Sequence, residues 1–307
     1  MVKGKFDGER LFIIGTAPSL TVTQMRLVQN EFTFGHGALC NWPARPYWPY
    51  FYGVSEETAY LDYKTLLESS PCALAVSFPV PGEHYPVSGH PRYQKFYQPI
   101  PVDESRWLHI NAPHSPYAFE AGFGGVDIDA RIGRKACYSS SFCTPVQVGA
   151  WLGFKKMYLI GVDLTSTGYV YNQNHRRAIS TVWQREGVLL NDWLSKQGVK
   201  IANCSPGYIG NEIDGIPAES LRDVLGIHLS DDGISHAIAI AEGQADHSTF
   251  DDNGISVTVE ATEWATVARI EYNGVVIGAY HEDNVTPEHN RTHLAEFLNN
   301  WEATVTF

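Results

Sequence analysis

Apolar residues in this chain fall into short runs closed by small or turn-forming residues. Leu11 to Ile14 is a four-residue apolar run that stops at Gly15; Pro18 and Ser19 mark a turn, and Thr21 to Gln29 carries the pattern of a first helix. Cys72 to Phe78 reads as another short strand. Thr144 to Leu152, rich in small and apolar residues, predicts a helix packed closely on a sheet, capped from the hydroxyl cluster Ser139-Ser140-Ser141 and ended by Gly153. Lys156 to Ile160 and Val199 to Ala202 predict two more strands. Between them Val182 to Lys196, with apolar residues at Val182, Leu189, Leu190, Trp193 and Leu194, predicts a helix that ends at Gly198. Short strands alternating with helices predict an α/β protein with a doubly wound, mostly parallel sheet. Two stretches interrupt the rhythm. Residues 32 to 53, with Trp42, Pro43, Pro46, Tyr47, Trp48 and Pro49, predict an irregular surface excursion, and the Pro, His and Gly of residues 79 to 133 predict loops.

Past Pro206 the period changes. A helix over Pro217 to Leu225 is followed by the alternating stretch Ile255 to Thr262. Thr266 to Tyr280 then holds Asn273-Gly274 between apolar runs, a strong hairpin signal. His289 to Trp301 has the pattern of a final amphipathic helix. The expected division is therefore a domain over 1–226 and a small α+β accessory domain over 227–307.

Composition narrows the possibilities. At 307 residues and 44% hydrophobic content the chain suits a soluble globule, and no apolar run approaches the roughly 20 residues of a membrane helix. The beginning, Met1 to Asp7, lacks the apolar core of a signal peptide, so the expected compartment is cytoplasmic. A net charge of −12 argues against a nucleic-acid surface. The five cysteines are widely spaced without a CxxC pair, which predicts reduced thiols and neither a disulfide framework nor a zinc site. Association of identical chains stays open.

Candidate chemistry gathers at two turns, Gly15-Thr16-Ala17-Pro18-Ser19-Leu20 after the first strand and Gly161-Val162-Asp163-Leu164 after Lys156 to Ile160. Ligands of open α/β sheets collect beyond the carboxyl ends of strands, so these turns are expected to form opposite walls of one nucleotide-binding crevice, with small residues and backbone donors facing a ligand. Purely structural roles fit the same residues: glycines for tight turns, Asp163 as a loop cap, Ser140 and Ser141 as helix caps.

The block Phe12 to Leu20, the pair Ser140-Ser141 and the run Gly149 to Leu164 together resemble two related groups, the bacterial family-42 sialyltransferases and the group containing the archaeal 6-hydroxymethylpterin diphosphokinase. Both share a "GxGPSL"-like turn and a later "GxxxIxLxGxD" strand, and Val199 to Pro206 also fits their pattern. The resemblance spans roughly the first 225 residues through these separated blocks. It implies a Rossmann-like fold and, from the sialyltransferases, a metal-independent inverting transfer of sialic acid from a CMP-activated donor to a sugar hydroxyl, with no cofactor beyond the CMP-sugar substrate. On that likeness Gly15, Thr16, Ala17 and Ser19 lie by the nucleotide, Ser140 and Ser141 by the donor sugar or phosphate, and Gly161, Asp163 and Thr165 around the nucleotide pocket. Asn41 matches a second nucleotide-contacting asparagine and Tyr171 a donor to the departing phosphate. The chain departs from the pattern in Thr16 (an asparagine in the family), in Ala17 (a glycine) and in Thr165 (a tyrosine).

The segment Tyr169 to Arg177 supplies the remaining chemistry. His175 titrates near neutrality and suits a general base, and Arg176 and Arg177 suit a phosphate. Two other readings stand beside the transferase. One is a pterin-type diphosphokinase needing magnesium, with Asp163 and Glu56 or Glu57 as carboxylates. The other is a non-catalytic nucleotide-binding or assembly module. His84, His90, His109 and His114, and Asp127 with Asp129, lack metal-site spacing, and Cys143 has no evident activating base.

Overall fold

The computed structural model describes residues 4–54, 57–78, 107–111, 142–164, 168–170, 188, 190–208, 215–241, 249–261, 265–283, 293–294 and 297–298. It divides into two compact units, Met1–Glu219 and Ser220–Phe307.

The first unit is built on a seven-stranded sheet in the order β5-β4-β3-β2-β1-β6-β7. Its strands are β1 (Arg10–Ile14), β2 (Phe32–His36), β3 (Phe51–Val54), β4 (Ala73–Phe78), β5 (Trp107–Asn111), β6 (Lys156–Ile160) and β7 (Lys200–Asn203). All neighbouring pairs are parallel. Helices α1 (Val22–Leu27), α2 (Glu57–Ser69) and α3 (Cys143–Leu152) intervene, giving the α/β architecture that the strand and helix rhythm predicts. The chain steps outward from β1 to β5, then returns to place β6 on the other side of β1. The strand order thus reverses between β1 and β6, which are paired from Arg10↔Lys156 to Ile14↔Ile160.

The strand β1 is central because both of its faces are covered: Leu11, Phe12, Ile13 and Ile14 are all fully buried, as a near-continuous apolar run in a parallel sheet requires. Leu11 and Ile13 share the core with Phe34, Phe51, Val146, Leu152, Met157 and Leu159. At its start Arg10 makes a two-pronged pair with Glu31, Nε to Oε2 at 2.9 Å and Nη2 to Oε1 at 2.5 Å. Helix α1 begins where the sequence places it: the Thr21 hydroxyl accepts from the Gln24 amide while the Gln24 side chain accepts from the Thr21 amide, a reciprocal cap.

Several expectations are corrected. The excursion over 32 to 53 contains two interior strands, β2 and β3. Gly35, which reads as a breaker, sits in β2 because a Cβ there would lie 2.7 Å from Pro49 Cγ and 2.9 Å from Leu39 Cδ2. The prolines and aromatics that follow pin the connection to the sheet. The Tyr52 hydroxyl donates to the Gly37 carbonyl at 2.8 Å and accepts from the Cys40 amide at 2.7 Å. Arg45 donates to the Cys40 carbonyl at 2.6 Å and lies 3.9 Å over the Trp48 ring. Strand β5 lies within the stretch expected to be loops. Helix α3 has Phe142 at its N-cap position, in helical backbone geometry, and Gly153 ends the helix as expected; the serines expected to cap it lie outside the described residues. Residues 190–195 are helical and Gly198 follows them.

The second unit starts at Ser220, seven residues before the expected boundary. Pro217 and Ala218 are extended beside Asn203 in the first unit, through an Asn203 amide to Pro217 carbonyl bond at 2.9 Å and a bridge to Ala218. The short helix Leu221–Leu225, capped by Ser220, begins only after them. The unit's sheet is antiparallel in the order β11-β10-β9-β8, from β8 (Thr249–Asp252), β9 (Ile255–Ala261), β10 (Ala265–Tyr272) and β11 (Val275–Asp283). Asn273-Gly274 forms the predicted hairpin, both with positive φ (51° and 75°), and Asn253-Gly254 forms a second of the same kind (53° and 78°). Ile255, Val257, Val259, Ala268, Ile270, Val275 and Ile277 are buried, one residue in two along each strand. Helix Asp231–Ala241 contributes buried Ala237 and Ile240. Of the predicted final helix, 293–294 and 297–298 are helical, with Leu294, Phe297 and Leu298 buried.

Candidate functional site

In a parallel sheet all strands end on one edge, so the residues after β1, β2, β6 and β7 share a rim by topology alone. That rim collects Gly15, Thr16, Ala17 and Ser19 after β1, Asn41 after β2, and Gly161 and Asp163 after β6. The two turns singled out in the sequence flank the point where the strand order reverses, the place where crevices open in such sheets.

The turns touch one another directly. The Gly15 amide donates to the Ile160 carbonyl and the Ala17 amide to the Gly161 carbonyl, both at 2.8 Å. A Cβ on Gly15 would overlap the Gly161 carbonyl oxygen, so glycine is what lets the two backbones close. Gly161 itself has φ +63°, and a Cβ there would lie 2.9 Å from that of Leu20. The carboxylate of Asp163 completes the junction: the Ser19 amide donates to Oδ2 at 3.3 Å and the Ser19 hydroxyl donates to Oδ1. The amides of Gly15, Ala17 and Ser19 are therefore taken by Ile160, Gly161 and Asp163, a correction to the expectation that they face a ligand. Their convergence stands. The Leu20 amide is also internal, bonded to the Ala17 carbonyl at 3.0 Å.

Asp163 is a buried carboxylate, 4% exposed. Burial pushes its carboxyl above the ordinary range, and the bonds from Ser19 pull it back. It caps the opposite turn rather than its own loop. Gly207 packs against it from a third side, since a Cβ on Gly207 would overlap the carboxylate.

In the sequence that third side enters only through the resemblance of Val199 to Pro206 and not as a candidate site. At the end of β7, Asn203 and Ser205 hold both backbone polar groups of Val162: Asn203 Nδ2 donates to the Val162 carbonyl at 2.7 Å, and the Val162 amide donates to Ser205 Oγ at 2.8 Å. The Ser205 amide donates to Asn203 Oδ1 at 3.0 Å. Asn203 and Ser205 are 0% and 1% exposed, so this network is fully internal and fixes the backbone of the second turn. The available signal was the run Asn203-Cys204-Ser205-Pro206-Gly207, turn-forming residues after an apolar strand, the same signature as the two turns that were chosen.

The face toward β2 is less closed. Thr16 is partly exposed and its carbonyl accepts from the Val170 amide at 2.9 Å. Residues 168–170 are thereby held at the first turn, immediately before the segment expected to supply the chemistry. Asn41 is exposed at the end of the 3-10 turn Gly37–Asn41. Its neighbour Cys40 is buried, and burial pushes its thiol up, away from reactivity. Ser140, Ser141, Thr165, Tyr171, His175, Arg176 and Arg177 lie outside the described residues, as does Glu56. Among the described residues no group of three or more His, Cys, Asp or Glu is placed to hold a metal ion, and no helix is long and apolar enough to cross a membrane. Comparison with protein-family models, with curated proteins and with solved structures gives no match to this chain.

Proposed function

We propose that the first unit is a Rossmann-like, doubly wound domain that binds a nucleotide-activated sugar at the rim where the strand order reverses, and that it transfers the sugar to a hydroxyl acceptor. The reading is that of a glycosyltransferase-like enzyme with a CMP-sialic acid type of donor. The observation that carries it is the meeting of Gly15–Ser19 and Gly161–Asp163 across the β1/β6 junction, two strand-end turns that both fall in the blocks resembling the sialyltransferase pattern. Among the described rim residues Thr16 is partly exposed and Asn41 exposed, and the Val170 amide bonds the first turn at Thr16, just before Tyr171 and His175 in the chain. On this reading His175 takes the acceptor proton while Tyr171, Arg176 and Arg177 meet the leaving phosphate.

The engaged amides of Gly15, Ala17 and Ser19 favour a donor recognised through its nucleoside over one cradled by its pyrophosphate, which needs several free amides in that turn. Asp163, with both oxygens on Ser19 and Gly207 packed on it, does not fit the magnesium ligand that the diphosphokinase reading requires. The same closed junction favours, as a second reading, a non-catalytic module whose pocket has filled in. Titration calorimetry with CMP, CDP, ATP and GTP, with and without magnesium, separates the readings. Metal-free cytidine nucleotide binding, together with His175→Ala removing turnover of CMP-sialic acid, is the expected result. Magnesium-dependent ATP binding, or no nucleotide binding at all, overturns it in favour of the kinase or the module.

A further inference from the structure

The Asp163 clasp occupies the β1/β6 side of the rim and leaves the side between β1 and β2 to other residues. Ile14 and Gly35 are register partners, so Gly15-Thr16 and His36-Gly37 leave the sheet side by side. Two tyrosines reach this place from distant parts of the chain. Tyr169 is brought there by the residue after it, since the Val170 amide donates to the Thr16 carbonyl at 2.9 Å. Tyr63 is carried by α2, which packs against the 3-10 turn Gly37–Asn41 that follows β2. Both tyrosines are part-exposed. Burial pushes the Tyr63 phenol above its ordinary value, and Cys40, Asp62 and Tyr169 push it the same way. Cys40 of the turn and Tyr169 act on it because the turn, the helix and residues 168–170 share one neighbourhood.

The turn beside them is built to stay still. The Cys40 amide donates to the Tyr52 hydroxyl and its carbonyl accepts from Arg45, while the Tyr52 hydroxyl donates to the Gly37 carbonyl. Arg45 is held in turn over the Trp48 ring, which meets the Tyr52 ring edge-on with centroids 6.0 Å apart. Asn41 follows Cys40 and is exposed, so an amide that is both donor and acceptor stands on a fixed backbone. A phenol offers a flat apolar face with a polar tip, the surface on which a planar heteroaromatic base stacks. An amide matches the paired donor and acceptor along the edge of such a base. A phosphate is poorly served here, because Thr16, Asn41, Tyr63 and Tyr169 bring no cation and the Arg45 guanidinium is committed to Cys40 and Trp48.

We infer that Tyr63 and Tyr169 form the surface on which the base of the nucleotide stacks, with Asn41 reading the edge of that base, so that the β1/β2 side of the rim selects the nucleobase. The inference rests on the nucleotide-binding reading above and adds to it the residues that recognise the base. The test is titration calorimetry with CMP, cytidine, ribose 5-phosphate and ATP on the full chain and on Tyr63→Leu, Tyr63→Phe, Tyr169→Leu and Tyr169→Phe. Leucine keeps apolar bulk and removes the ring, whereas phenylalanine keeps the ring. CMP and cytidine are expected to bind the native chain, about 10-fold more weakly to each leucine variant and within about twofold of native to each phenylalanine variant. The two rings sit on different elements, so a leucine variant that unfolds leaves the other to decide. Leucine variants that bind CMP as the native chain does overturn the inference and leave the donor reading standing. So does an equal loss of ribose 5-phosphate binding, because the tyrosines then meet the sugar or the phosphate. The same pattern with ATP in place of CMP sustains the stacking pair and overturns the cytidine donor. A native chain that binds neither nucleotide overturns both.

Discussion

In the second unit each strand pairs with the next one along the chain, β8 with β9 and β10 with β11 through two-residue Asn-Gly turns. In the first unit the contact that defines the candidate site, Ser19 with Asp163, joins residues 144 apart, and the β1/β6 pairing beneath it spans a comparable length of chain. A local hairpin is specified by its turn residues, whose positive φ values Asn and Gly tolerate. A long-range junction has no turn to specify it and depends on whether two surfaces fit once the sheet has formed. The lesson is that the second unit tolerates local error locally, whereas the first unit's site is only as good as the fit between two distant turns.

The contrast is broken most severely at Gly15. Gly15→Ala places a Cβ on the Gly161 carbonyl, so β1 and β6 must separate at the rim. The expected loss is about 3 kcal/mol of stability, measured by denaturant unfolding, with lost exchange protection in β1, β6 and β7 and none in β8 to β11. Full protection in β6 would show that the junction yields without cost. In the second unit Gly274→Ala, at φ +75° with open space around the added Cβ, meets only backbone strain. It is expected to cost about 1 kcal/mol, confined to the β10–β11 amides and leaving the first unit unaltered. A global loss from this change would erase the distinction between the units.

The smallest effect concerns the clasp, and its sign follows from burial. The Asp163 carboxyl stands above its ordinary value of 3.8 in the folded chain, so the fold holds its proton longer than the unfolded chain does. Its stabilising contribution is fully present below the unfolded value and fades as pH rises through the raised folded value. The stability of the native chain relative to Asp163→Asn is therefore expected to fall as pH rises above about 4. A difference that rises over this window would mean that the bonds from Ser19 outweigh desolvation.

Much of the scaffold was legible from residues alone. β1, β4, β6 and β7 are short apolar runs closed by small residues. The reciprocal cap of Thr21 and Gln24, Gly153 at the end of α3 and the Asn273-Gly274 hairpin are local chemistry, written in neighbouring positions. β2 was hidden because Gly35 and the prolines after it carry the composition of a loop; their reason is a close approach of Pro49 and Leu39 that no local pattern reveals. The helix expected to begin at Pro217 starts at Leu221 because Asn203, distant in sequence, draws Pro217 and Ala218 into extended pairing.

The sequence by itself determined that β1, β4, β6 and β7 would be strands, where the Asn273-Gly274 turn lies and that small residues stand at the ends of β1 and β6, because those features follow from periodicity and from the conformational limits of single residues. Only the tertiary structure decided what the turns do with their polar groups. The amides of Gly15, Ala17 and Ser19 are taken by Ile160, Gly161 and Asp163, and Asn203 with Ser205 grips Val162. A buried donor must be matched by whatever acceptor the fold brings to it, and that acceptor is set by strand order, which no neighbouring residue encodes.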